Sequence, residues 1–265
     1  MKHKEWLAKE VWSKESYYQQ SHQGSFDLAH PGMKILRELT SKAKNILDLG
    51  CGEGTRLNLV TNKKQSGCGI DLSDKAIKIA RERYPDLKFY QGDLETLPFE
   101  SESFDLLYAA FVLEHLDNPT KVLLEARRVL RQGGYLVLIS PNYGSPNRVS
   151  PVRNTSRLLK LIRGLLEDIL LYVVRLRSLG WRQVTPLANK KIYISDWDTV
   201  VEPYIGSLTN YLEYNGFSII CADSCWNEEL SNAKILQRIF RKLGELGVYP
   251  FWMWGPHLVL VAQKQ

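Results

Sequence analysis

Short apolar runs of strand length recur along the chain as NILDLG (45–50), GCGID (67–71), LKFYQG (87–92), FDLLYAA (104–110), GYLVLIS (134–140), FSIICAD (217–223) and HLVLVAQ (257–263). Between the earlier runs the apolar positions fall every three to four residues, the spacing of a helix with one buried face. SDKAIKIARERYP predicts a helix capped by Ser73 and ended before Pro85, and PTKVLLEARRVLRQGG predicts one that begins near Pro119 and stops near Gly133. Strand and helix in alternation give an α/β chain: a doubly wound, seven-stranded, mainly parallel sheet with helices on both faces. Sheets of this kind take ligands beyond the carboxyl ends of their strands.

The pattern changes after the fifth strand. SRLLKLIRGLLEDILLYVVRLRSLGW sets Lys160, Arg163, Gly164, Glu167, Asp168, Arg175 and Ser178 along one helical stripe and fills the opposite face with Leu, Ile and Val. From Arg148 to Lys191 ten basic residues stand against Glu167 and Asp168, a local charge of +8, whereas the whole chain carries +6 and the remainder therefore −2. Charges every few residues exclude a membrane span. Three readings stand for this insertion, 145–196: a lid helix packed on the domain with its Leu158–Leu179 stripe protected, a helix lying on an anionic membrane surface through 148–191, and a nucleic-acid patch. The interleaved aliphatics count against nucleic acid. A second insertion, 224–256, reads as an amphipathic helix followed by Tyr249, Phe251, Trp252 and Trp254. That cluster would wall a pocket, enter a bilayer interface, or pack beneath its helix.

Composition adds bounds rather than detail. With 265 residues, 44% hydrophobic and 24% charged, the chain has the make-up of a soluble globular protein. MKHKEWLAKEVW lacks the apolar core and cleavage site of a secretory signal, so the expected location is the cytoplasm, peripheral at the inner membrane face if the insertion binds lipid. Cys51, Cys68, Cys221 and Cys225 show no metal-ligand spacing and read as free thiols, so no metal is expected.

The chemistry concentrates in ILDLGCGEGTR (46–56), where Gly50, Gly52 and Gly54 follow the first strand at alternate positions. Such a loop serves either as a tight turn or as a place where a ligand approaches the backbone. Asp71 ends the second strand about twenty residues later, where a carboxylate can accept from both hydroxyls of a ribose. The dinucleotide pattern GxGxxG is absent because position 55 is threonine, and no phosphate-loop lysine follows.

LDLGCGEG, GIDLS and GDLETLPFESESFDLLYAAFVLEHL, in this order and spacing, resemble the class I S-adenosylmethionine-dependent methyltransferases, and within them the ubiquinone and menaquinone biosynthesis group. The resemblance covers residues 44–142 and returns weakly at 197–223 and 257–264. It implies a Rossmann-like fold, a single methyltransferase domain over 1–265, and S-adenosyl-L-methionine as cofactor. Carried over residue by residue, it implies that Asp48 orients the amino end of the methionine moiety and that Gly50, Cys51 and Gly52 give the backbone access to the cofactor. Asp71 would hold the ribose and Leu72 pack on adenine; Asp93 and the backbone at Leu94 would read the adenine edge, although Asp93 alone also reads as a turn residue. Ala110 completes the cofactor set. The leader, 1–40, is expected to fold over the cofactor as a helical cap, with Tyr17 or Tyr18 touching the methionine carboxylate.

Methyl transfer needs an acceptor atom held in line in dry surroundings. For an oxygen acceptor a base helps, and His115 in FVLEHLDNP is the candidate, with a packing or capping role as its alternative; Glu114 is less attractive. Enzymes that methylate exocyclic amino groups carry an Asn/Asp-Pro-Pro-aromatic tetrad after this strand, and Ala109-Ala110-Phe111-Val112 is not one. The expected partner is a small-molecule or lipid-linked acceptor. An RNA methyltransferase, and a noncatalytic adenosylmethionine-binding scaffold that docks a membrane or partner, are the rivals.

Overall fold

The computed structural model describes residues 3–26, 28–146, 148, 150–152, 156–175, 177–187, 194, 196–225 and 235–265. Its strands are β1 (Asn45–Leu49), β2 (Ser66–Asp71), β3 (Lys88–Gln91), β4 (Phe104–Ala110), β5 (Leu130–Pro141), β6 (Phe217–Cys225) and β7 (His257–Lys264). They form one sheet in the order β3-β2-β1-β4-β5-β7-β6. The first five pair in parallel, and β7 runs antiparallel between β5 and β6. Strand order reverses between β1 and β4, which places the expected crevice beyond their carboxyl ends.

The helices are α1 (His3–Glu10), α2 (Glu15–Ser25), α3 (Pro31–Thr40), α4 (Thr55–Val60), α5 (Asp74–Arg83), α6 (Pro119–Val129), α7 (Arg157–Val173), α8 (Ile205–Tyr214) and α9 (Ile235–Glu245). Successive strand residues point to opposite faces, and both faces are covered. Leu47, Leu49, Leu107, Leu136 and Leu138 join α6 and α8 in one core. Ile46, Leu106, Tyr108, Val137 and Ile139 pack with Met33, Leu36, Leu57 and Ile77 of α3, α4 and α5 in the other. This two-sided burial is why the central strands read as continuous apolar runs.

Ser73 caps α5 by accepting from the Ala76 amide at 3.2 Å, and Asn118 caps α6 at Lys121, with Pro119 in the first turn. The predicted stop of α6 at Gly133 is four residues late. The chain leaves the helix at Val129, Leu130 already pairs with Phe104, and a bulge follows before Leu106 meets Tyr135. Gly133 supplies the positive φ of 74° within that bulge.

Gly54 shows what the glycine loop requires. Its φ is +82°, and a Cβ there would stand 2.7 Å from the Phe89 ring and 3.2 Å from Ala80 Cβ. Gly54→Ala is therefore expected to cost about 1–3 kcal/mol from the strained backbone and overpacking together, read as a lower midpoint with unchanged slope in urea unfolding.

The insertion departs from the packed-lid expectation. In α7 one line of the polar stripe faces inward: Lys160 and Asp168 are buried, and a Cβ on Gly164 would collide with the Pro146 ring, whereas Arg163 and Glu167 beside them are exposed. Leu171 and Leu179 are buried, but most of the aliphatics from Leu158 to Val174 are exposed. Trp254 packs in the core, and Phe251 stacks on Phe240 at 4.8 Å, so part of the aromatic cluster lies beneath the helices. Of the sequence features singled out above, residues 1 and 2 of the leader, Arg153, Lys190 and Lys191 of the basic count, and 226–234 of the second insertion lie outside the described residues.

Candidate active site

A cavity of about 480 Å³ opens at the carboxyl ends of the parallel strands, the size of a small-molecule site. Ten of the eleven residues singled out from the sequence line it: Tyr18, Gly50, Cys51, Gly52, Asp71, Leu72, Asp93, Leu94, Ala110 and His115. Asp48 is the exception. It is buried beneath the glycine loop, where its carboxylate accepts from the Tyr108 hydroxyl at 2.7 Å.

Asp71 is aimed by the backbone. Gly52 N–H donates to one carboxylate oxygen at 2.9 Å and Ser73 N–H to the other at 2.8 Å, tying the end of β2 to the glycine loop after β1. Burial raises the Asp71 pKa, and the same two amides oppose the rise. Gly52, at φ +53°, has open space where a Cβ would stand, on the cavity wall. Any side chain there would enter the cavity.

Asp93 accepts from Glu95 N–H at 3.0 Å, so it forms a turn as well as lining the site. The Cys51 thiol is buried, and burial with the Asp71 and Asp48 charges pushes its pKa up, holding it neutral. The Tyr18 hydroxyl donates to Trp12 O at 2.6 Å and meets Ser73 Oγ. It therefore sits beside Ser73, whose amide donates to Asp71.

Burial raises Asp48 to about 7 from 3.8, against the Tyr108 bond and the Arg56 charge. The folded state thus holds this proton where the unfolded chain has lost it, so stability falls as pH rises from about 4 to about 7. Asp48→Asn is expected to flatten that slope in thermal melts taken across the same window.

His115 closes the ligand edge from a 3-10 turn after β4, Leu113–His115. Its Nδ1 lies 3.1 Å from Asp198 O, which can only accept, so Nδ1 carries the proton and Nε2 is the basic nitrogen. Burial would depress its pKa, but the Asp198 and Glu114 carboxylates outweigh burial and the net shift is upward. Asp198 Oδ2 is 3.6 Å from Nδ1 and accepts from Trp12 Nε1 at 3.1 Å. Glu114 Oε1 stands 3.8 Å from Nε2, while its other oxygen accepts from Ser140 Oγ.

Several of these groups were not evident from the sequence. Asp198 follows the insertion, and Val200 and Val201 amides donate to Glu114 O, pinning the returning chain to the His115 turn. Leu7 and Val11 of the leader pack on Val200 and Val201, so leader and return segment cover the site together. At the same edge His30 Nδ1 accepts from Gly32 N–H, which leaves the proton on Nε2, 3.1 Å from His257 Nδ1. Phe111, at φ +60°, stacks edge-on against both rings. Arg56 lies over the Phe111 ring and donates to Ala110 O. The one sequence signal for Arg56 is its place directly behind the Gly54-Thr55 turn.

Comparison with known proteins agrees with this geometry. Residues 47–138 match the family model described as a methyltransferase domain. A Mycobacterium tuberculosis protein named "Probable S-adenosylmethionine-dependent methyltransferase" is 33% identical over 112 residues, 42% of this chain and 41% of its own length. The demethylmenaquinone methyltransferase of Renibacterium salmoninarum is 33% identical over 104 residues, 38% of this chain and 44% of its own. The chain thus spans less than half the length of these relatives. A crystal structure of an S-adenosylmethionine-dependent methyltransferase from Mesorhizobium loti superposes with a TM-score of 0.55 at 21% identity, over 89% of this chain and all of that one. The fold is the Rossmann-like methyltransferase fold.

Proposed function

We propose that the chain transfers a methyl group from S-adenosyl-L-methionine to a small-molecule or lipid-linked acceptor, at an oxygen. The observation that carries this reading is the convergence on one cavity of a backbone-aimed Asp71 and a histidine whose basic Nε2 is fixed by Asp198. The residues present fit the cofactor: the open wall at Gly52 leaves room for a ligand against the backbone, and the Asp71 carboxylate at the end of β2 suits two ribose hydroxyls. Leu72, Asp93 and Leu94 would hold the adenine, and Gly50 and Cys51 the methionine side. Arg56, which also lines the cavity, is a cation suited to a ligand carboxylate. Asp48 would act from behind the loop, held there by the Tyr108 hydroxyl. Bound there, the cofactor supplies an electrophilic methyl on a sulfonium whose sulfur leaves with the electron pair.

The chain's own residues supply position, dryness and a proton acceptor. Trp12, Tyr17 and Tyr18 of the leader wall the cavity and exclude water. His115 Nε2 takes the hydroxyl proton as the oxygen–methyl bond forms, and the Asp198 carbonyl and carboxylate stabilise the imidazolium that results. Glu114, close to Nε2, adds to that field. The lipid-linked class is supported by the demethylmenaquinone relative, and the oxygen by the presence of a placed base.

Thermal denaturation with added nucleotides tests the cofactor assignment. Adenosylmethionine and adenosylhomocysteine at about 100 times their Kd should each stabilise the protein by about 2.7 kcal/mol, and NAD should not. Stabilisation by NAD alone would overturn the assignment.

A further inference from the structure

We propose that α7 is a docking surface for an anionic lipid bilayer, on which it lies parallel to the membrane plane. An amphipathic helix on a soluble domain ordinarily turns its apolar face to the core. Here the reverse holds. Leu158 is 67%, Ile169 63% and Val173 76% exposed, while Lys160 and Asp168 are 7% and 9%.

The inverted orientation is fixed by specific bonds. Asp168 accepts from the Tyr204 and Tyr249 hydroxyls and from Trp254 Nε1. Lys160 Nζ donates to the carbonyls of Tyr143 and Arg148. Gly164, between them on the same stripe, lies against Pro146. Rolling the helix to bury its leucines would strip a buried carboxylate and a buried ammonium of these partners, which is strongly unfavourable. The apolar face is therefore held outward in water, where its large side chains forgo burial.

Charge selects the occupant. Arg163, Arg175 and Arg177 are exposed on or just beyond α7, within residues 148–191, which carry a net charge of +8 on a remainder of −2. A second copy would bring two such faces together against their own repulsion. A bilayer with anionic headgroups offers hydrocarbon for the leucines and phosphate for the arginines at once. Seventeen residues span about 25 Å, but the buried charges on the inner stripe exclude crossing, and no described helix is long and apolar enough to cross a membrane. The two ends of the insertion, Arg148 and Asp196, both line the catalytic cavity, so a lipid-linked acceptor would be delivered beside the site. The docking surface itself does not depend on the proposed activity.

Sedimentation with vesicles tests it. The full chain should pellet with phosphatidylcholine–phosphatidylglycerol vesicles and much less with pure phosphatidylcholine, and binding should fall as salt shortens the Debye length below about 10 Å. Replacing Arg163, Arg175 and Arg177 together with glutamine should weaken binding on the order of a hundredfold, at about 1 kcal/mol per charge. Leu158→Ser with Ile169→Ser should weaken it at every salt concentration. Both sets touch exposed positions, so unchanged thermal midpoints and adenosylmethionine titrations confirm that the variants are folded. No pelleting with either vesicle overturns the proposal, as does binding that neither set weakens. Light scattering that shows a dimer dispersed by Leu158→Ser with Ile169→Ser, without lipid binding, assigns the face to a second copy instead.

Discussion

Replacing His115 with alanine is expected to lower turnover by about 10²–10⁴-fold while leaving adenosylmethionine affinity nearly unchanged. The base works only when Nε2 is unprotonated, so turnover should rise with pH and level off above the His115 pKa. That pKa lies above the ordinary 6.5 because the Asp198 and Glu114 carboxylates outweigh burial, and the rising limb is displaced to the alkaline side accordingly. Asp198→Asn supplies a control that a packing role would not pass. It keeps the backbone carbonyl that orients Nδ1 but removes the charge 3.6 Å away, so the limb should move to lower pH with a smaller loss of turnover. Acceptors already ionised should lose least from His115→Ala. An equal loss for every acceptor, with a lower melting temperature, would make His115 a packing residue.

The second large effect belongs to Asp71. Asp71→Ala removes the carboxylate proposed to receive the ribose hydroxyls and leaves the Gly52 and Ser73 amides without the acceptor that they have now. Charge-assisted bonds contribute about 1.5–3 kcal/mol each, so affinity should fall at least tenfold, about 1.4 kcal/mol or more, by titration calorimetry. Asp71→Asn should fall between, because one oxygen still accepts while the charge is gone. Unchanged affinity in a folded Asp71→Ala protein would remove the ribose role, and Gly52→Val would then show whether this wall meets the cofactor at all.

The sheet was legible because the central strands are buried on both faces and are followed by turn signals such as Gly50 after β1 and Ser73 after β2. The end of α6 was not. Its helical pattern runs on through Leu130 to Gly133, and only pairing with Phe104 shows that the backbone has already become strand. The side of the cavity lined by Gly50, Gly52 and Asp71 was legible for a related reason: its residues follow their strands directly, at fixed offsets in sequence. The groups around His115 come instead from Trp12 and Asp198, and the His30–His257 pair lining the same cavity is likewise far apart in sequence; no local pattern joins them. Least legible was the orientation of α7. Amphipathic spacing reveals two faces but not which of them docks, and that choice was made by Asp168, whose three donors lie in the α8 region and the second insertion.

The central claim is transfer and not binding alone. The direct measurement incubates the protein with adenosylmethionine labelled on its methyl group and a fractionated cell extract, beside a His115→Ala control. Label is predicted to enter the lipid or small-molecule fraction in proportion to enzyme and time, and to do so far more slowly with the control. Label in the RNA fraction would contradict the acceptor class; saturable cofactor binding with no label in any fraction would contradict catalysis itself and leave a noncatalytic adenosylmethionine-binding protein.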